Sequence, residues 1–221
     1  MASVIDICNV ALGHLGNSRR IASIDPPDGS AEADYAATFY PIALAEALEM
    51  SDWSFARKRQ VLGLLSTNES SIWAYAYAKP SDCLVVRRIP TGNPTAAEQD
   101  TEPFDVEGDV IYTNKAEATL IYTRPITDPT KFTPSFVSGL GYLVGSYMAG
   151  PIIKGAEGAG ASQSLRKVAA SVFKSAITVD ANKTNAEPQH IPSSILARNG
   201  AATSVTPSSD EYTYGSGHGI V

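Results

Sequence analysis

The chain is predicted to be an α+β protein. The expected architecture is an antiparallel helical bundle with a small antiparallel β subdomain inserted between helix 2 and helix 3, continued by an extended C-terminal tail. Three observations predict it. Apolar residues recur with the helical period over residues 3–52 and again over 134–181. Between these segments, over 57–124, the period changes to alternation. After residue 182 large apolar side chains become few, and Ser, Thr, Gly, Asn and Pro take over. Such a segment cannot by itself bury enough surface to offset its ordering entropy. The predicted units are 1–56 with 132–182 for the helices, 57–131 for the β region and 183–221 for the C-terminal arm.

The first helix is expected over residues 3–15. Ser3 with Asp6 three positions on is an acidic variant of the capping box, and Gly16 is a ready stop. Val4, Cys8, Ala11, Leu12 and Leu15 mark its buried face. Asp25-Pro26-Pro27-Asp28-Gly29 is turn chemistry. Ser30 then caps a second helix that runs to about residue 52, with Ala33, Ala36, Tyr40, Ala43 or Leu44, Ala47 and Leu48 facing inward. Pro41 lies inside this pattern and is expected to kink the helix or break its hydrogen-bond ladder. Trp53 and Phe55 follow as large aromatics that anchor the helix end, with Tyr40, to the core.

In the β region Trp73, Tyr75 and Tyr77 alternate with small residues. Leu84, Val86 and Arg88 fall on the opposite face from Val85, Arg87 and Ile89. Phe104-Asp105-Val106 and Val110-Ile111-Tyr112 flank Glu107-Gly108-Asp109, a tight hairpin signal. Residues 118–122 form another strand, closed by Pro125, and the Pro- and Thr-rich stretch 89–103 is a long loop. The helical period returns over 134–149, where Gly141, Gly145 and Ala149 are spaced four apart. Small residues at that spacing let helices approach closely, at a propensity cost of about 1 kcal/mol per glycine. That cost points to a packing reason, within the chain or between copies. Residues 155–160 are expected to be a flexible turn. A last helix over 162–181 should face Leu165, Val168, Ala169, Val172, Phe173 and Ile177 inward.

The charge balance excludes some functions. With 17 Lys and Arg against 23 Asp and Glu, a formal net charge of −6, the 221-residue chain is poorly suited to a broad grip on nucleic-acid phosphates. Cys8 and Cys83 lie far apart in different contexts and are expected to be buried structural thiols rather than a disulfide. The opening residues lack a basic region, so no secretory signal is expected. The uncharged stretch between Lys131 and Lys154 is long enough to cross a bilayer. Its prolines, serines and glycines suit lipid poorly, so a buried or subunit-facing helix is expected and no membrane partner.

No catalytic constellation emerges from the residues, and neither a cofactor nor a metal is expected. His14, His190 and His218 are far apart, with no metal-ligand spacing. The glycines of 139–145 are one residue too widely spaced for a dinucleotide loop and have no strand leading into them. The carboxylate pairs Glu46 with Glu49 and Asp105 with Glu107 are read as solvated faces. The basic triplet Arg57-Lys58-Arg59 and the pair Arg87-Arg88 are candidate contacts to an acidic neighbour or to passing DNA, beside the plainer reading of a charged surface.

The order of motifs resembles a known family. Cys8-Asn9-Val10-Ala11-Leu12, Leu15-Gly16, Ile24 and Asp28, and Phe39-Tyr40 are similar to tail tubular protein A, the head-to-tail adaptor of podoviruses. Trp53-Ser54-Phe55-Ala56-Arg57-Lys58-Arg59 matches that family's Trp-x-Phe-Ala followed by a basic residue. Tyr77-Ala78-Lys79-Pro80-Ser81-Asp82-Cys83-Leu84, Gly108-Asp109-Val110-Ile111-Tyr112-Thr113, Leu120-Ile121-Tyr122, and Phe132 with Phe136 extend the likeness across residues 3–180. The glycine-rich third helix and the long polar tail depart from the pattern.

The resemblance implies a non-enzymatic virion protein in the neck region. It would form a ring of twelve copies between portal and tail nozzle, with fibre proteins as further partners and DNA passing transiently through the channel. In such a ring each contact between neighbours is heterologous. The arm, through Ile191, Ile195, Leu196, Tyr212 and Tyr214, would dock on the portal or on an adjacent subunit. Two rivals are a virion-associated peptidoglycan hydrolase and a portal-docked connector of a long-tailed phage. The acidic balance and the lack of a recognition helix make a DNA-binding regulator the weakest reading.

Overall fold

The computed structural model describes residues 2–92 and 101–183. Helix α1 (Val4–His14) starts from the capping box that Ser3 and Asp6 suggest. The Asp6 N–H donates to Ser3 Oγ at 3.1 Å, and the Ser3 N–H donates to the Asp6 carboxylate at 2.9 Å. Ile7, Cys8, Ala11 and Leu12 are its buried residues. The following loop is held by side chains. Asn9 bonds both ways to the Ile21 backbone, at 2.9 and 3.0 Å. Asp28 accepts from the Ser30 hydroxyl and from the Ala22 and Ser30 N–H groups, which together push its carboxyl down to about 2.

Helix α2 (Ala31–Glu49) is capped by Ser30 and buries every position of its predicted stripe. Pro41 lies on its exposed side, and the helix continues through it. Eight strands follow among the described residues. One antiparallel sheet has the order β1 (Arg57–Val61), β8 (Thr119–Thr123), β4 (Val85–Pro90), β5 (Thr101–Glu102). The other runs β2 (Gly63–Leu64), β3 (Tyr75–Ala78), β7 (Val110–Thr113), β6 (Phe104–Glu107). Leu62, Tyr77, Ile89, Ile111, Ala118, Leu120 and Tyr122 form one core that draws on both sheets. Helices α3 (Pro134–Ile153) and α4 (Gly155–Ala181) complete the described chain.

The α+β class stands, but the predicted arrangement does not. The helices do not form an antiparallel bundle carrying an inserted β subdomain. Instead α3 is a hub on which α1, α2 and α4 each pack. Its buried residues include 139–141, 143–146 and 148–149, which point in every direction around the axis. A bundle helix would bury a stripe; α3 is enclosed. Helix α1 seats on the glycine-lined stretch of α3, with Gly141 facing Val10 and Ile7, Gly145 facing Ala11 and Tyr142 stacked on His14.

The strands are also more than a small insertion. They build two four-stranded sheets, and their segment contributes Ile126 to the helical core with Leu84 packed against it. The predicted turn over residues 155–160 is helical as well. A Cβ on Gly158 would lie 3.0 Å from the Ala149 carbonyl, so glycine there lets α4 begin close against α3.

By length and composition α3 could cross a membrane, yet ten of its residues are buried within the protein.

Candidate functional site

Of the residues singled out in the sequence, Trp53, Phe55, Arg57, Arg87 and Arg88 meet where α2 ends and β1 begins. Trp53 is fully buried, and its indole N–H donates to the Ala47 carbonyl at 2.8 Å. Its ring meets Phe136 edge-on, with centroids 5.0 Å apart, and Phe55 meets the same Phe136 ring at 5.0 Å. Phe132 and Phe173 close the cluster. Edge-to-face contacts of this kind add to the burial of large apolar rings. Tyr40 is buried in the same core. Among the described residues its hydroxyl has no hydrogen-bond partner, and burial raises its pKa well above the usual phenol value.

The arginine pair behaves differently from strand alternation. Alternation puts Arg87 and Arg88 on opposite faces, but β4 carries a bulge between Val86 and Arg88. Bulges re-aim side chains, and here both arginines reach the end of α2. Arg87 donates to the Leu48, Glu49 and Ser51 carbonyls at 3.1, 2.9 and 2.6 Å, and through Nε to Thr123 Oγ1 at 2.8 Å. Two of those carbonyls belong to the last turn of α2, where helix carbonyls lack intrahelical donors and a cation is favourable. Arg88 and Arg57 bind the two oxygens of Asp52, at 3.1 and 3.0 Å.

Lys58 lies over the Tyr122 ring and pairs with Asp82 at 2.7 Å. The Tyr122 hydroxyl sits 2.6 Å from the other Asp82 oxygen. The Lys58 bond, with the Tyr122 bond beside it, lowers the Asp82 pKa. Arg59 is exposed on the sheet-edge strand β1, opposite Ile121. So at least four of the five candidate partner-contact cations take part in bonds within the chain.

Three carboxylates absent from the sequence-based site are central here: Asp52, Asp82 and Asp180. Asp180 had a readable signal. It continues the inward series Ala169, Phe173, Ala176 of α4, and a charge on an apolar stripe needs a buried partner. It accepts from the Ser54 N–H at 2.6 Å, the Ser54 hydroxyl at 2.7 Å and Lys183 at 2.8 Å. Burial opposes its ionisation, but the Lys183 and Ser54 bonds outweigh burial and lower its pKa.

A carboxylate whose folded pKa is depressed stabilises the fold above its unfolded pKa and stops doing so as pH falls through the folded value. Asp180→Asn is therefore expected to lose about 2 kcal/mol at neutral pH. The deficit should shrink below the ordinary carboxylate range, as read by urea unfolding of both proteins across acid pH.

The small residues of α3 serve packing within the chain. A Cβ on Gly141 would meet Val10 at 3.2 Å, and one on Gly145 would meet the Ala11 carbonyl at 3.2 Å. Ala149 is fully buried, and its carbonyl faces Gly158. Gly139, outside the four-residue spacing, holds the face against Phe173, where a Cβ would fall 2.8 Å from the ring. Farther along α3 the Tyr147 hydroxyl donates to Glu46 at 2.6 Å, and Arg166 binds the other Glu46 oxygen while lying over the Tyr147 ring. One carboxylate thus ties α2, α3 and α4 together.

His14 stacks on Tyr142 with centroids 3.9 Å apart, and burial lowers its pKa. Cys8 and Cys83 are free thiols, both raised chiefly by burial, Cys8 to about 12. Among the described residues no group of three or more His, Cys, Asp or Glu side chains is placed to hold a metal ion. The arm residues Ile191, Ile195, Leu196, Tyr212 and Tyr214, with His190 and His218, lie outside the described residues. No protein-family model matches the chain, and no curated protein matches it.

Proposed function

We propose that this chain is a virion structural protein, a head-to-tail adaptor whose ring joins the portal to the tail nozzle and continues the DNA exit channel. One observation carries the reading: the order and spacing of motifs from Cys8-Asn9-Val10-Ala11-Leu12 through Trp53-Ser54-Phe55-Ala56-Arg57 to Phe132 and Phe136. The roles those residues take within the chain support it. Cys8 and Ala11 belong to the buried face of α1, Trp53, Phe55 and Phe136 build the aromatic cluster, and Arg57 braces Asp52. These are architectural duties, in keeping with a subunit whose task is to hold a shape under load.

In this reading the protein has no catalytic role. It assembles as a ring, twelvefold by resemblance, in the neck of the virion after synthesis in the host cytoplasm. The arm, residues 183–221, engages the portal or a neighbouring subunit, and the opposite side of the ring meets nozzle and fibre proteins.

The test mixes the purified chain with isolated portal rings of the same phage and images them in negative stain. A second ring stacked on the portal is the expected result, and a variant lacking residues 186–221 should stay folded yet leave the portal bare. Portal rings that remain uncapped at saturating full-length chain would overturn the proposal.

A further inference from the structure

The outer face of α4 has an unusual charge pattern for a protein of net charge −6. From residue 158 to 179 the helix carries Arg166, Lys167 and Lys174 and no Asp or Glu. Lys167 and Lys174 are exposed and two turns apart, so they share a face about 10 Å long, with exposed Ser171 between them and Thr178 beyond. Val168 and Val179 on the same helix are 41% and 54% exposed, large apolar side chains that the described residues leave uncovered. Such a helix face is a cationic surface that an acidic one would complement.

The same chain carries the complement elsewhere. Strand β6 and its turn present Asp105, Glu107 and Asp109, all exposed, and no Lys or Arg occurs from residue 102 to 114. Asp105 and Glu107 are two positions apart on one strand, so they point to the same side, roughly 7 Å apart. Val106, on the opposite side of the strand, is 36% exposed. Among the described residues β6 pairs with β7 alone and is the edge of its sheet, so its outer backbone groups stand ready for a neighbour.

We infer that the exposed face of α4 is the docking surface for the β6–β7 hairpin of a second copy of this chain. Charge complementarity selects the occupant: a row of cations on one surface and a row of carboxylates on the other. The two surfaces differ, so the contact is heterologous. Repeated from copy to copy, it closes into a ring or runs on as a filament. The inference deepens the adaptor reading, and rests on it only for closure into a ring.

The test uses full-length chains, isotopically light and heavy, mixed at low salt and treated with a carbodiimide that joins lysine amines to carboxylates. Light-to-heavy links from Lys167 or Lys174 to Asp105, Glu107 or Asp109 are expected, and they should fade at high salt. The double variant K167E/K174E should lose association with wild-type chain by at least roughly tenfold, because like charges then face each other. Mixing it with D105K/E107K should restore the pairing with the charges exchanged.

Links confined to single chains, links through other surfaces, or no association up to millimolar chain would overturn the inference. So would duplex DNA bound on α4 without any link between chains. A chain that forms these links but ignores portal rings sinks the adaptor reading alone. A K167E/K174E chain that still builds a normal ring on the portal sinks this inference alone.

Discussion

Replacing Trp53 with alanine is expected to cost about 3–5 kcal/mol, the usual price of removing a fully buried large aromatic. Trp53 is fully buried, touches Phe55, Phe136 and Phe173, and supplies the donor for the Ala47 carbonyl. The truncation therefore opens a cavity where α2, α3 and α4 meet and leaves a buried carbonyl unpaired. Domains are stable by only about 5–15 kcal/mol, so the variant should be marginal at physiological temperature. Trp53→Phe keeps most of the ring contacts and should cost much less. Urea unfolding followed by tryptophan-independent circular dichroism separates the two; equal losses would mean that the cavity is not the cause.

Arg87→Ala is expected to cost about 2–4 kcal/mol, because it strands several partly buried acceptors at once. The guanidinium serves the carbonyls of Leu48, Glu49 and Ser51 as well as Thr123. Arg87→Lys should recover less than half of the loss, since a single ammonium cannot span a fork of that width. Hydrogen exchange gives the specific readout: amides in the last turn of α2 should lose protection before those of α3. An Arg87→Ala protein as stable as wild type would show that the bulge, and not the arginine, holds the sheet on the helix.

Much of this was legible in the chain. The Ser3 and Ser30 caps, the inward stripe of α2 and the Glu107-Gly108-Asp109 turn follow from local chemistry, and local chemistry is what a sequence displays directly. The hub role of α3 was harder to see. Gly139, Gly141 and Gly145 announce close approach without saying what approaches: α1 finds Gly141 and Gly145 from across the whole β region, and Phe173 of α4 takes Gly139. The bulge in β4 was invisible because nothing in Val86-Arg87-Arg88 marks an extra residue; only the pairing with β8 reveals it. Asp52 and Asp82 looked like ordinary surface acids, and their arginine and lysine partners looked free for other work. Position on an apolar stripe could have exposed Asp180, whereas Asp52 and Asp82 sit in turns that carry no such pattern.

The seating of α1 on α3 has a consequence for synthesis. Ala11 leaves the ribosome roughly 130 residues ahead of Gly145, its seat, on the order of ten seconds at ordinary elongation rates. Throughout that interval the side of the first helix that seats on α3 lacks its native cover. The nascent chain should therefore depend on a holding chaperone from its opening residues, and moving α1 to follow α4 in a permuted gene should relieve that dependence.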